Sequence, residues 1–310
     1  MAAKLKWAAD GPQSTFVGPS APAVVLHWLR ERSAIERGEA AGDEVIRLGR
    51  FCCVRRQDDR GTRWLHEHWL GPHHADPDLW FLALVYRACI NDGRVAGEIS
   101  IPLPCDPARY LAEMRARKAE GKATEHFGHH AYTIYAYPGF TFKPEGHVEQ
   151  LLKPAWQARE HFRPRTDETC ETFYNRLREL PGVGSFTAGQ VVCDCKFFAP
   201  LCNAADVMTF AVSGPGSRRG LARVLGRPIK FYESNEDRWQ RDFNTLRTQL
   251  APEIEQILGS PLSASDFQSA LCEVDKFERY RVDHGELQRY VRFGEPAPKK
   301  AKGRVEEHRR

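Results

Sequence analysis

No apolar run in this chain approaches the roughly 20 residues needed to span a bilayer, and the opening MAAKLKWAADGPQ lacks the apolar stretch of a secretory signal. Both absences predict a soluble protein of the cell interior with no membrane role. Charge of one sign is also scarce. A formal net charge of +4 over 310 residues excludes a uniformly basic coat, so any polyanion contact has to come from local clusters of Lys and Arg. A closely spaced, even cysteine set is missing. Nine scattered cysteines argue against a disulfide framework and predict reduced thiols. Cys193, Cys195 and Cys202 have no matching His-Cys set and no four-cysteine iron-sulfur spacing, so neither a metal nor another cofactor is expected. The His66 to His74 group reads as a solvated helix end. No Gly-rich segment ends in Gly-Lys-Ser/Thr, which disfavours a nucleotide-dependent kinase. Internal repeats are absent as well.

What is present has a globular balance, 42% hydrophobic and 28% charged residues. Residues 1–22, rich in Gly, Pro and Ala, read as a flexible lead-in, 23–293 as a single helical body and 294–310 as a disordered basic tail. The predicted fold is mostly α. VVLHWLRERSAI has amphipathic helical spacing, and DPDLWFLALVYRACIND, apolar almost all round, predicts a buried helix opened by Asp-Pro. Residues 43–70 suggest one or two basic helices, and DPARYLAEMRARKAEG a surface helix stopped at Gly121. HAYTIYAYPG reads as a short strand or an extended loop. Further helices are expected over 166–180, 235–258 and 263–292.

The most informative string is LPGVGSFTAGQVVCD. A helix ending at Leu180 meets Pro181 and a Gly182-Val183-Gly184 turn, then a second helix begins near Ser185. Glycines allow a tight reversal and bring backbone amides, with those of Ser185 and Thr187, close to an anion such as a DNA phosphate. The bare Gly-x-Gly is equally compatible with an ordinary helix corner. The complete string resembles the hairpin of the helix-hairpin-helix DNA glycosylase superfamily, which implies a glycosylase-like helical fold that grips duplex DNA. In that superfamily a catalytic Asp follows the hairpin, and Asp206 stands in the corresponding place; its alternative role is a helix cap. The lyase branch carries a Lys where this chain has Phe186, so covalent lyase chemistry is not expected.

SGPGSRRGLARVLG sets Gly214 and Gly216 around Arg218 and Arg219, a composition suited to a phosphate or pyrophosphate, or else to a solvated turn. Taken together, RFCCVRRQDDRGTRWL, HHAYTIYA, LPGVGSFTAGQVVCD, the 206–220 segment and ALCEVDKFERY resemble the alpha-glutamyl/putrescinyl thymine pyrophosphorylase family. These are bacteriophage amino acid:DNA transferases, and they are similar to the helical domain of 5-hydroxymethyluracil DNA kinases. The resemblance implies an enzyme of the infected bacterial cytoplasm, acting after such a kinase. An amino acid or polyamine would displace pyrophosphate from a flipped 5-pyrophosphoryloxymethyluracil in duplex DNA. On that reading Asp206 handles the amine, while Arg218, Arg219, Gly214, Gly216, Arg55 and Arg56 hold phosphate. Pocket candidates are Tyr132, Trp64, Asp59, Gln190, Glu273 and Lys276. For the two aromatics core packing is the competing reading, for Asp59 a salt bridge to the neighbouring arginines, and for Glu273 and Lys276 an ion pair one helical turn apart. The rival functions are a monofunctional DNA glycosylase excising a modified pyrimidine and a noncatalytic DNA-binding partner of the kinase.

Overall fold

The computed structural model describes residues 22–125 and 134–281. The expected all-helical class is found: regular secondary structure among the described residues is helical, in order α1 (Ala23–Glu36), α2 (Glu44–Leu48), α3 (Arg60–Leu65), α4 (Leu79–Val85), α5 (Gly93–Ala96), α6 (Pro107–Ala119), α7 (Lys143–His147), α8 (Lys153–Gln157), α9 (Arg159–Phe162), α10 (Cys170–Leu177), α11 (Ser185–Cys195), α12 (Pro215–Val224), α13 (Glu236–Leu258) and α14 (Ala264–Arg281). The described end of the HAYTIYAYPG strip, 134–137, is extended chain rather than a strand. Tyr132, the lead-in 1–21, residues 282–293 and the tail lie outside the described residues. No helix among the described residues is long and apolar enough to cross a membrane.

Two apolar cores organise the chain. The first is built around α4, whose residues Leu79–Val85 are all buried, with α3, α10 and α11 packed on it. The second joins α1 and α2 from the N-terminal part to α12, α13 and α14. The chain therefore starts in one core, crosses to the other through residues 49–59 and returns after residue 210. The longest helix shows how the second core is driven. Asn235 caps α13 through the Arg238 amide, and Trp239, Phe243, Leu246, Leu250 and Ile254 form one buried stripe at helical spacing. Each such side chain contributes roughly 1.5–3 kcal/mol on burial.

Helix α12 occupies the Gly-rich segment that reads as a loop in the sequence. Gly216 and Gly220 lie inside the helix, facing α14: a Cβ on Gly216 would come within 3.1 Å of Cys272 Sγ, and one on Gly220 within 2.0 Å of the Leu271 carbonyl oxygen. These glycines let two helices touch backbone to side chain and backbone to backbone. Gly214 is the buried N-cap, its amide donating to Ser217 Oγ.

Candidate functional site

Helix α11 connects the hairpin to the boundary between the two cores. At its first turn Gly182 adopts φ +75°, a left-handed conformation that favours glycine, and a Cβ there would meet the Tyr137 hydroxyl at 2.4 Å. That hydroxyl donates to the Pro181 carbonyl at 2.6 Å and fixes the turn from behind. Leu180 and Val183 are buried under the turn, whereas Gly182, Gly184 and Ser185 are exposed, with Thr187 half-buried. Gly184 is the N-cap of α11, makes no side-chain cap, and has open space where a Cβ would stand. The expected hairpin is thus present, with its glycines and the positive end of a helix facing outward. The preceding helix ends at Leu177 rather than Leu180, and the connection is correspondingly longer.

About 16 Å farther along the same helix, Asp194 is fully buried and gathers cations from the first core and the 49–59 crossing. Arg87 donates to it through Nε (2.6 Å) and Nη2 (2.9 Å), Arg56 Nη2 lies at 3.4 Å, and His66 Nε2 at 3.8 Å. Burial alone would raise the Asp194 carboxyl, but Arg87, Arg56 and His66 hold it well below the usual carboxylate range. Widened turns present two of these groups. His66 and Tyr86 each open a turn closed by an i to i+5 hydrogen bond, from Gly71 N and Asn91 N, and Arg87 follows Tyr86.

Lys196, immediately after α11, is buried across the boundary. It donates to Ser265 Oγ at 2.5 Å and Ser263 Oγ at 3.3 Å, hydroxyls at the start of α14, and no carboxylate among the described residues pairs with it. Asp266 completes the link by accepting from Ser263 Oγ and from the Arg56 amide. Arg56 Nε and His66 Nε2 are buried in this seam without a hydrogen-bond partner among the described residues. Exposed Phe197 borders it, against His66 and Lys196, and exposed Phe186 stands at the other end of α11, eleven residues and therefore about three turns earlier, with half-buried Gln190 between them.

Asp206 belongs to this neighbourhood in a different role from a free base. Its Oδ1 accepts from Cys170 N (2.7 Å) and its Oδ2 from Glu171 N (3.0 Å), so it caps α10 rather than the segment that follows it. Burial and the Asp206 carboxylate push the Cys170 thiol up to about 12, an effect that Lys196 opposes, which places Lys196 and Asp206 within electrostatic reach of the same group.

The other sequence candidates divide. Arg55 holds the 260–261 turn through the Ser260 and Pro261 carbonyls, and only Arg56 enters the seam. Arg218 and Arg219 do not form one phosphate fork: Arg218 binds Glu236 (2.5 Å), Ser213 Oγ and the Glu233 carbonyl, while Arg219 turns to Asp275 (2.9 Å). Asp59 caps α3 through the amides of Gly61 and Thr62 instead of pairing with Arg55 or Arg56, because a carboxylate at that position meets free helix amides first. Trp64 is stacked on His68 (4.8 Å) and Tyr86 (5.9 Å) and packs on Gly93, a core role. Glu273 and Lys276 pair at 2.7 Å and tie down the Cys52 amide and the Arg50 carbonyl. His66, read in the sequence as part of a solvated helix end, instead turns inward to Asp194, and Asp194, Lys196 and Arg87 were not singled out by sequence reasoning. Their signal was faint, an Asp and a Lys inside an apolar helix face and a lone Arg in an apolar run.

No group of three or more His, Cys, Asp and Glu side chains among the described residues is arranged to hold a metal, and the nine cysteines are free thiols. The family described as "5-hmdU DNA kinase, helical domain" matches residues 23–288. No curated protein and no solved structure matches the chain.

Proposed function

The chain belongs to the family of 5-hmdU DNA kinase helical domains, and from that membership we propose that it is an amino acid or polyamine:DNA transferase acting on a pyrophosphorylated 5-hydroxymethyluracil. The supporting observation is that one helix, α11, carries an outward hairpin at its start and a buried cationic seam at its end. The hairpin amides grip a phosphate of one strand. The flipped base then enters along the face that bears Phe186, Gln190 and Phe197, where an aromatic surface replaces lost stacking.

In the reaction the amine nitrogen forms a bond to the 5-methylene carbon as the carbon–oxygen bond breaks, and pyrophosphate departs with the electron pair. The co-substrate ammonium loses one proton to become the nucleophilic amine, and the secondary ammonium formed on attack gives the neutral secondary amine by losing another. Arg56, whose buried Nε has no hydrogen-bond partner among the described residues, and Lys196, bonded there only to hydroxyls, suit the departing phosphates, with His66 beside them. Asp206, fixed by two amides at α10, supplies a stationary anion for the cationic amine. Its use as a cap also favours one alternative, a noncatalytic DNA-binding partner of the kinase.

Nucleoside mass spectrometry separates these readings. DNA containing 5-hydroxymethyluracil is treated with a 5-hydroxymethyluracil DNA kinase and ATP, then with this protein and a panel of amino acids and polyamines. An added amine mass that requires the kinase step is the expected result. Free base released would identify a glycosylase, and unchanged nucleosides despite tight DNA binding would identify the noncatalytic partner.

A further inference from the structure

Beyond the hairpin, α12 and α14 place three guanidiniums on one carboxylate. Asp275 is fully buried, and Arg219, Arg223 and Arg279 each approach it through Nε, at 2.9, 3.0 and 3.4 Å. Arg219 and Arg279 lean on the same single carboxylate, so positive charge is left over where these two side chains meet solvent. Two of the side chains reach solvent: that of Arg219 is 37% exposed and that of Arg279 46%. With Nε turned inward to Asp275, the terminal nitrogens of Arg219 and Arg279 make no hydrogen bond among the described residues, a fork geometry matched to phosphate oxygens.

The position of this cluster connects it to the hairpin. Tyr174, beneath the hairpin, feels Arg178, Glu236 and Ser185 of the α11 first turn, and Arg178 lies 5.5 Å from its ring. Glu236 in turn holds Arg218 of α12, next to Arg219, which lies about one turn before Arg223. The sequence of neighbours therefore runs from the hairpin through Arg178 and Arg218 to the three guanidiniums at Asp275.

We propose that the Arg219, Arg223 and Arg279 cluster is a second phosphate contact, which receives the DNA backbone beyond the segment held by the hairpin. It assigns Arg219 to DNA rather than to the departing pyrophosphate and leaves Arg218 as a link between the two contacts. The proposal rests on the reading that this chain binds duplex DNA, and is independent of whether it transfers an amine. Asp275 acts as a positioning residue: it aligns the forks and lowers their mutual repulsion.

The test is the salt dependence of binding to an unmodified duplex, measured with the full chain by fluorescence anisotropy. Each phosphate contact contributes a slope of about −0.9 in log K against log salt. Arg219→Gln with Arg279→Gln removes two cations and leaves Asp275 paired with Arg223, so the slope should become shallower by about 1.8 with affinity reduced alike on all sequences. Arg279→Gln alone, the most exposed of the three, should remove about 0.9 while leaving the melting temperature unchanged; it serves if the double variant folds poorly. An unchanged slope in the singly substituted, folded protein overturns the proposal. Absence of any duplex binding by the unaltered chain would instead overturn the DNA reading itself, and loss of amine transfer with the slope intact would overturn only the assignment of Arg219 and Arg279 to DNA.

Discussion

Replacing Asp194 by Asn keeps the volume and removes the charge that the seam is built on. The side chain is fully buried, and Arg87, only 6% exposed, directs two donors at it. Thr62 Oγ1 accepts from the same Nη2 that reaches Asp194 and Asn91 Oδ1 from Nη1, yet neither carries a charge. Breaking a buried pair by removing one partner costs about 3–5 kcal/mol, because the remaining ion is left uncompensated. For a body of this size each kcal/mol moves the melting temperature by about 2 °C, so Asp194→Asn should melt roughly 6–10 °C lower. The pH sign follows from the direction of the shift. The carboxyl is held below its usual range in the folded chain, so its stabilising contribution is complete above the unfolded value near 4 and is lost as pH falls below that value. Thermal melts and urea unfolding of the parent, Asp194→Asn, Arg87→Met and the double Asp194→Asn/Arg87→Met variant decide the matter. The double variant should lose less than the sum of its single changes. A fall of under 1 °C for Asp194→Asn, or strict additivity, would refute the reasoning.

His147 is buried, with Nε2 3.0 Å from the Tyr135 carbonyl, and burial lowers its pKa to about 4. The unfolded side chain takes up its proton near 6.5, so stability should decline by roughly 3 kcal/mol as pH falls from 6.5 to 4; urea midpoints across that window should be flatter in His147→Gln. Gly184 has open space at its Cβ position and an ordinary negative φ, so Gly184→Ala should melt with the parent. If the hairpin approaches a phosphate as proposed, the same substitution should weaken duplex affinity several-fold in an anisotropy titration, and unchanged affinity would argue against that approach.

Periodicity was enough to find the elements that bury a stripe or a full cylinder of apolar side chains. The predicted helix over 24–35 is α1, the all-apolar run is α4, and Gly121, at φ +71°, ends the surface helix as expected. It failed where the structure departs from simple amphipathicity. The run Lys143 to Phe162 is interrupted by Pro144 and Pro154 and contains a widened turn at Val148–Leu152, so its helical character is obscured in sequence. Helix α12 was hidden because glycine serves there as a small residue between helices, not as a loop former. The candidate site was half legible. Hairpin and Asp206 are marked by residue type and spacing, whereas the seam is made by pairing Asp194 with Arg87, 107 positions earlier, and Lys196 with Ser265, 69 positions later. Such long-range pairs have no local pattern.

The seam also bears on why this chain keeps ions in its interior. Apolar residues of similar volume in place of Asp194, Arg87 and Lys196 would be expected to give equal or greater stability, since desolvating several charges costs more than their attraction returns unless every group is satisfied. Satisfaction is incomplete here: Arg56 Nε and His66 Nε2 have no acceptor among the described residues, and Lys196 has hydroxyls alone. A half-satisfied network is a poor way to hold two cores together. It is a suitable way to receive an anion, because donors already desolvated and fixed need no reorganisation when charge arrives. Its placement at the far end of the helix that begins with the hairpin supplies the mechanical part of the argument. α11 is a rigid spacer of about 16 Å. On the proposed reading, DNA seated on Gly184 and Ser185 would have its backbone at a set distance from Lys196, and a base rotated out of the duplex would meet the seam without movement of either core.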